Sequence, residues 1–145
     1  MIVFVDDDII RGKLDVELYL LNKECNNDPK IELQTFSHID KAWDFITNNR
    51  FKIKLFIQDI IMPPGNLLKD VPETHGNLRT GKVFIGRIRN EFPEKPIIVY
   101  TVVDKDAALD KWAKSLSNMT LLYKNETTPL ELLNKVKQIL GREGM

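Results

Sequence analysis

The sequence predicts an α/β protein, a (βα)5 fold with a doubly wound parallel sheet of five strands in the order 2-1-3-4-5. Two observations support this prediction. Five short apolar runs recur along the chain, and amphipathic helical patterns separate them. Strands that alternate with helices form a parallel sheet covered on both faces, with right-handed crossovers. Five such units in 145 residues suit an open sheet better than an eight-unit barrel.

The apolar runs define the predicted strands. Residues 2–5, 53–57 and 97–100 are almost continuously apolar, which is typical of strands buried on both faces. Residues 31–36 alternate between apolar and polar side chains, so this segment is predicted to be an edge strand. The fifth run covers residues 119–123.

The helical patterns lie between these strands. The first four helices are predicted from apolar residues three or four positions apart: Ile10, Leu14, Leu18, Leu21 and Cys25; Ile39, Ala42, Trp43 and Ile46; Phe84, Ile85 and Ile88; and Leu109, Trp112, Ala113 and Leu116. The last helix has the clearest ends. Thr128 and Glu131 form a predicted capping box around Pro129, and Gly141 is predicted to end the helix.

The composition excludes several classes of protein. Lys and Arg total 21, as do Asp and Glu, and this balance argues against a general nucleic-acid binder. The single cysteine excludes an intrachain disulfide and disfavours a cysteine zinc site. No apolar stretch reaches the roughly 18 residues of a membrane span, and the N-terminus lacks the features of a signal peptide. We therefore expect one cytoplasmic domain over residues 1–145, with neither nucleic acid nor membrane as its partner.

An extended loop is predicted at about residues 62–80. This segment contains three prolines and two glycines and has no sustained periodicity. A loop of this length in a compact domain is usually functional or mobile.

Polar side chains follow the predicted strands at the edge where ligands bind in open α/β sheets. They are Asp6, Asp7 and Asp8 after the first strand, Asp59 after the third, Thr101 after the fourth and Lys124 after the fifth. Clustered carboxylates repel one another, and Mg²⁺ prefers such oxygen ligands. A metal ion, a lysine and a hydroxyl would together hold a phosphoryl group, and one carboxylate could accept it. Asp8 precedes a predicted helix, so it is expected to be an N-cap rather than a ligand.

These segments resemble the receiver domain of two-component response regulators, which has a flavodoxin-like fold. The similar segments are VFVDDD, LFIQDIIMPPG, IIVYT and LLYK, and the similarity covers nearly the whole chain outside the long loop. The resemblance implies that Asp59 is the phosphoacceptor, with Thr101 and Lys124 beside it. It also implies that Mg²⁺ is bound by Asp7, Asp59 and the main-chain carbonyl of Ile61, and that Asp6 supports the ion.

Several positions depart from the family pattern. Val102 replaces a small residue, Asn125 replaces the proline after the lysine, and Leu121 occupies the position of the family's switch aromatic. Tyr123 is expected to point to the face opposite Leu121. The glycine of the family's loop corresponds to Gly81, which leaves roughly a dozen inserted residues before it.

The resemblance implies a signalling module rather than an enzyme, with self-phosphorylation and autodephosphorylation as its only reactions. Ile61 and Val103 flank the approach of water, and neither can orient it, so we expect slow hydrolysis of the aspartyl phosphate. The phosphoryl donor would be a histidine kinase or a phosphotransfer protein. The chain has no room for a DNA-binding output domain, so we expect a stand-alone chemotaxis-regulator-like receiver, a monomer or weak dimer. It would signal to a downstream protein through residues 105–121.

Three other functions stay open. A pseudo-receiver would have the same fold without a phosphorylation cycle. A nucleotide-binding enzyme is suggested by residues 76–82, which have the spacing of a P-loop, although Val83 replaces its metal-binding hydroxyl residue. A phosphatase with an aspartate nucleophile would need a second acid where Ile61 stands.

Overall fold

A computed structural model describes residues 1–74, 76, 79–102 and 107–143. The strands are β1 (Ile2–Val5), β2 (Leu33–Phe36), β3 (Leu55–Gln58), β4 (Ile97–Thr101) and β5 (Met119–Tyr123). The helices are α1 (Asp15–Asn27), α2 (Ile39–Asn48), α3 (Thr80–Glu91), α4 (Ala107–Ser115) and α5 (Pro129–Glu143). Short 3-10 helices cover Asp7–Ile9 and Pro72–Thr74. Within these ranges, no helix is long and apolar enough to cross a bilayer.

All neighbouring strands are parallel, and the sheet order is β2-β1-β3-β4-β5. This confirms the predicted fold class and the edge position of β2. Val5 pairs with Gln58 in the register of β1 and β3, so these two strands end at the same level. The residues that follow them, Asp6 and Asp59, are therefore neighbours at the carboxyl edge.

The sheet separates two apolar cores. Alternate residues of each central strand point to opposite faces; in β1, Val3 and Val5 belong to one core and Ile2 and Phe4 to the other. Helices α2, α3 and α4 cover the first face, and α1 and α5 cover the second. The central strands are buried on both faces, which explains their continuous apolar sequences.

Two predicted helix boundaries are wrong. Helix α1 begins at Asp15 rather than near Ile10, whose side chain is exposed, because a 3-10 turn and a left-handed Gly12 (φ 72°) separate it from β1. Gly141 does not end α5, which continues to Glu143. The capping box is confirmed: the N–H of Glu131 donates to Thr128 Oγ1 at 3.1 Å, and the N–H of Thr128 donates to Glu131 Oε1 at 3.0 Å.

The described part of the long loop packs against the domain. Met62, Leu68 and Thr74 are fully buried, and the first two belong to the core on the α2–α4 face. Asp40 of α2 anchors the loop, since its carboxylate accepts hydrogen bonds from the N–H groups of Asn66 and Leu67 at 2.8 and 2.9 Å. The buried side chains of the loop are irregularly spaced, and for this reason the loop sequence shows no periodicity.

Candidate functional site

Asp6 and Asp59 form the floor of a buried acidic site at the carboxyl edge of the sheet. The N–H of Asp59 donates to the carbonyl of Val5 at 3.1 Å, and the N–H of Asp6 donates to the carbonyl of Phe36 at 2.9 Å. These bonds continue the strand pairing by one residue. Asp6 is fully buried and Asp59 is 2% exposed, so both carboxyl groups are held almost out of solvent.

Lys124 brings a positive charge to these carboxylates. Its Nζ lies 2.7 Å from Asp6 Oδ2, 3.1 Å from Asp8 Oδ2 and 3.4 Å from Asp59 Oδ2. The main chain places it there, because the N–H of Lys124 donates to the carbonyl of Thr101 at 2.7 Å, directly beyond the paired ends of β4 and β5. One lysine therefore contacts three acids.

The electrostatics of the site show unbalanced negative charge. Burial, and then the neighbouring carboxylate of Asp59, raise the pKa of Asp6 to about 7 despite its contact with Lys124. Burial also raises the pKa of Asp7. Burial disfavours the charged ammonium of Lys124, but Asp59 and Asp6 outweigh this effect and raise its pKa. A further positive charge would stabilise these carboxylates.

The oxygen ligands suit a divalent cation. Carboxylate oxygens of Asp6, Asp7 and Asp8 lie within 4.8 Å of one another, and Mg²⁺ is bound through carboxylates while it keeps several waters. Asp7 has an exposed partner, Arg11, at 3.5 Å. The donor set and the excess negative charge therefore fit Mg²⁺. The finer prediction, which adds Asp59 and the carbonyl of Ile61 as ligands, stays a prediction.

Asp8 has a different role from the expected N-cap. Asp6 is the cap of the 3-10 turn, since its Oδ1 accepts a hydrogen bond from the N–H of Asp8 at 2.9 Å. Asp8 instead turns toward Lys124. The run of three acids is the feature of the sequence that corresponds to this turn. The turn is short, so Asp8, the third acid, stays close to the end of β1.

Gly81, the residue matched to the family's loop glycine, packs against the main chain of Asp59. It is the second residue of α3, and its N–H donates to the carbonyl of Ile60 at 2.8 Å. A Cβ at this position would overlap the carbonyl oxygen of Asp59. Glycine is therefore required for the close approach of α3 to the end of β3.

The positions around β4 and β5 show one further error of prediction. Thr101 is fully buried at the end of β4, and Val102 is 48% exposed. Leu121 and Tyr123 point to the same face, not to opposite faces, because they are two residues apart in one strand. Val103, Lys105, His75 and the centre of the P-loop-like segment (77 and 78) lie outside the described residues.

Three solved structures of receiver proteins are similar in fold to this chain. A CheY-like response regulator receiver domain protein from Methanospirillum hungatei JF-1 matches with a TM-score of 0.71 at 19% identity, over 99% of this chain and 94% of that one. The fold is that of a receiver domain.

Two other receiver structures show the same likeness. The BeF3-activated receiver domain of Klebsiella pneumoniae RstA matches with a TM-score of 0.62 at 24% identity, over 96% of this chain and 97% of that one. A chain of the CheX-CheY-BeF3-Mg²⁺ complex from Borrelia burgdorferi matches with a TM-score of 0.65 at 14% identity, over 96% of this chain and 87% of that one. No family model and no curated protein matches the sequence.

Proposed function

We propose that this chain is a phosphoacceptor receiver of a two-component signalling system and that Asp59 accepts the phosphoryl group. The observation that carries the proposal is the buried contact among Lys124, Asp59 and Asp6 at the carboxyl edge of a receiver fold. Fold alone does not assign function. The proposal therefore depends on the chemistry of these three side chains.

The proposed step is a transfer from a phosphohistidine. An oxygen of Asp59 attacks phosphorus, a P–O bond forms, and the P–N bond breaks as the imidazole leaves with the electron pair and takes a proton. Lys124, 3.4 Å from Asp59 Oδ2, stabilises the negative charge of the phosphoryl oxygens. Thr101, buried at the end of β4, would donate a hydrogen bond from its hydroxyl to a phosphoryl oxygen. Asp7, Asp59 and the main-chain carbonyl of Ile61 would hold Mg²⁺, with Asp6 in support, and the ion would supply positive charge to the phosphoryl group.

The partners follow from this chemistry. The donor is a histidine kinase or a phosphotransfer protein, and the output is contact with a downstream protein. Two similar structures support this proposal, since one is a BeF3-activated receiver domain and the other is a complex of CheX and CheY with BeF3 and Mg²⁺. Self-phosphorylation and a slow autodephosphorylation are the reactions we assign to the chain, because Ile61 cannot orient a water beside Asp59.

The test is incubation with acetyl phosphate and Mg²⁺, followed by intact-mass measurement. We expect one phosphoryl group on the wild-type protein, none on Asp59→Asn and none in the presence of a chelator. Asp44→Asn, on an exposed position of α2, is the matched control and should be phosphorylated normally. A folded wild-type protein that gains no mass would refute the proposal and favour a pseudo-receiver that binds its partners without phosphorylation.

A further inference from the structure

Beneath the acidic site lies a buried polar pair that the proposed phosphoryl transfer does not use. Tyr100 of β4 is 1% exposed and Glu17 of α1 is 8% exposed. The Tyr100 hydroxyl donates a hydrogen bond to Glu17 Oε2 at 3.1 Å. Both residues face the core between the sheet and helices α1 and α5, where Leu21 and Leu132 are apolar neighbours. An apolar pair would fill this space without the cost of burying a carboxylate.

The pair extends to Lys124 through the tyrosine ring. Lys124 Nζ lies 5.7 Å from the centroid of the Tyr100 ring, within the range of about 6 Å for a cation–π contact. The lysine side chain is only 9% exposed, and such contacts are stronger where water is excluded. A phenol that donates to a carboxylate is richer in π-electron density than a free phenol. Glu17 therefore strengthens the attraction of the ring for the ammonium group.

The ring of Tyr100 adds to the contacts that position the long, flexible side chain of Lys124. Three carboxylates attract the ammonium group of Lys124 from 2.7 to 3.4 Å. The shortest of these contacts is with Asp6 and the longest is with Asp59. The ring of Tyr100 adds a contact from the core side of the site.

We propose that Tyr100 is a positioning residue that holds the ammonium group of Lys124 within reach of Asp59, and that Glu17 holds the tyrosine ring in place. The proposal rests on the proposed function, because Lys124 is taken to stabilise the phosphoryl group on Asp59. It adds two residues that the family resemblance did not assign. Both act through Lys124 and touch no reacting atom.

The first experiment measures the contact itself by NMR. The ring current of Tyr100 should shift the ε-methylene protons of Lys124 upfield, and comparison with Lys124→Arg assigns their signal. We expect the shift to persist in Tyr100→Phe, which keeps the ring, and to vanish in Tyr100→Leu. Ile98→Ala, in the same strand and the same core, is the matched control and should keep the shift. An unchanged Lys124 signal in Tyr100→Leu would refute the contact.

The second experiment measures the rate of phosphorylation by acetyl phosphate in the same variants, with folding checked by circular dichroism. We expect a rate about tenfold lower for Tyr100→Leu and about twofold to threefold lower for Glu17→Gln and Tyr100→Phe. Ile98→Ala should react at the wild-type rate, since it loses core packing without touching Lys124. Equal losses in Tyr100→Leu and Ile98→Ala would show a structural role only and overturn the proposal.

The two experiments separate the positioning proposal from the proposed function. If the wild-type protein gains no phosphoryl group, the proposed function fails. The NMR shift alone then tests whether Tyr100 contacts Lys124. If the wild-type protein is phosphorylated and Tyr100→Leu reacts at the same rate, the proposed function stands and the positioning role is refuted.

Discussion

Replacing Gly81 by alanine is expected to destabilise the protein, although Gly81 lies in a helix, where alanine is ordinarily preferred. A Cβ on Gly81 would overlap the carbonyl oxygen of Asp59 and lie 2.5 Å from the Cα of Ile60. These are backbone atoms, which cannot rotate away as a flexible side chain can. Either α3 or the end of β3 must therefore move.

The magnitude follows from two opposing effects. Overpacking of a closely packed interior costs about 1–3 kcal/mol, and the upper end applies here because the atoms are backbone. Better helix propensity returns at most about 1 kcal/mol. We expect the free energy of unfolding to fall by about 2 kcal/mol for Gly81→Ala.

Gly86→Ala is the matched control in the same helix. A Cβ on Gly86 meets no heavy atom within 4 Å, so only the propensity term applies and the variant should gain about 1 kcal/mol. The two variants should thus differ by about 3 kcal/mol, or about 6–12 °C in Tm for a chain of this size.

Urea unfolding of the two variants and the wild-type protein is the assay. We expect unchanged m-values and midpoints on opposite sides of the wild-type midpoint. Phosphorylation of Gly81→Ala should also be slower, since any shift of the main chain moves Asp59 relative to Lys124. A Gly81→Ala protein as stable as Gly86→Ala would refute the close approach of α3 to Asp59.

Two further predictions concern the acidic site and the long loop. Because burial and then Asp59 raise the pKa of Asp6 to about 7 from the ordinary value of 3.8, the folded protein retains a proton that the unfolded chain releases in this range. The free energy of unfolding should therefore fall as the pH rises from about 4 to about 7. Urea unfolding over this pH range should show a flatter profile for Asp6→Asn than for the wild-type protein. Parallel profiles for the two proteins would contradict the reasoning. Leu68→Ala should lower the free energy of unfolding by about 2–5 kcal/mol, because Leu68 is fully buried. Leu130→Ala is the control, and it should change this free energy by less than about 0.5 kcal/mol because Leu130 is 56% exposed. Thermal or urea unfolding measures both. Equal stability of these two leucine variants would show that the loop does not belong to the core.

The sequence predicted the sheet, its strand order and the place of the site because these depend on local, repeating patterns. Apolar runs identify strands, helical spacing identifies crossovers, and parallel strands bring their polar ends to one edge. Asp59 and Lys124 are 65 residues apart in the chain, and the topology alone predicts that they meet. The capping box of α5 was equally local, and it too was confirmed.

One error arose because the decisive interaction was with a residue distant in the sequence. Asp8 was expected to cap a helix, but Asp6 caps the turn and Asp8 reaches Lys124, 116 residues away. The long loop has no periodic pattern because scattered buried side chains and the carboxylate of Asp40 hold it to the core.

The sequence by itself determined the α/β class, the five-strand order and the polar residues that gather at one edge of the sheet. Only the tertiary structure decided which acids Lys124 contacts, why Gly81 must be a glycine, and that Tyr100 connects the site to Glu17 in the core. The physical reason is the range of the interactions. Periodicity and capping act between residues a few positions apart, whereas ion pairs, close backbone approach and ring contacts depend on where packing brings separate elements together.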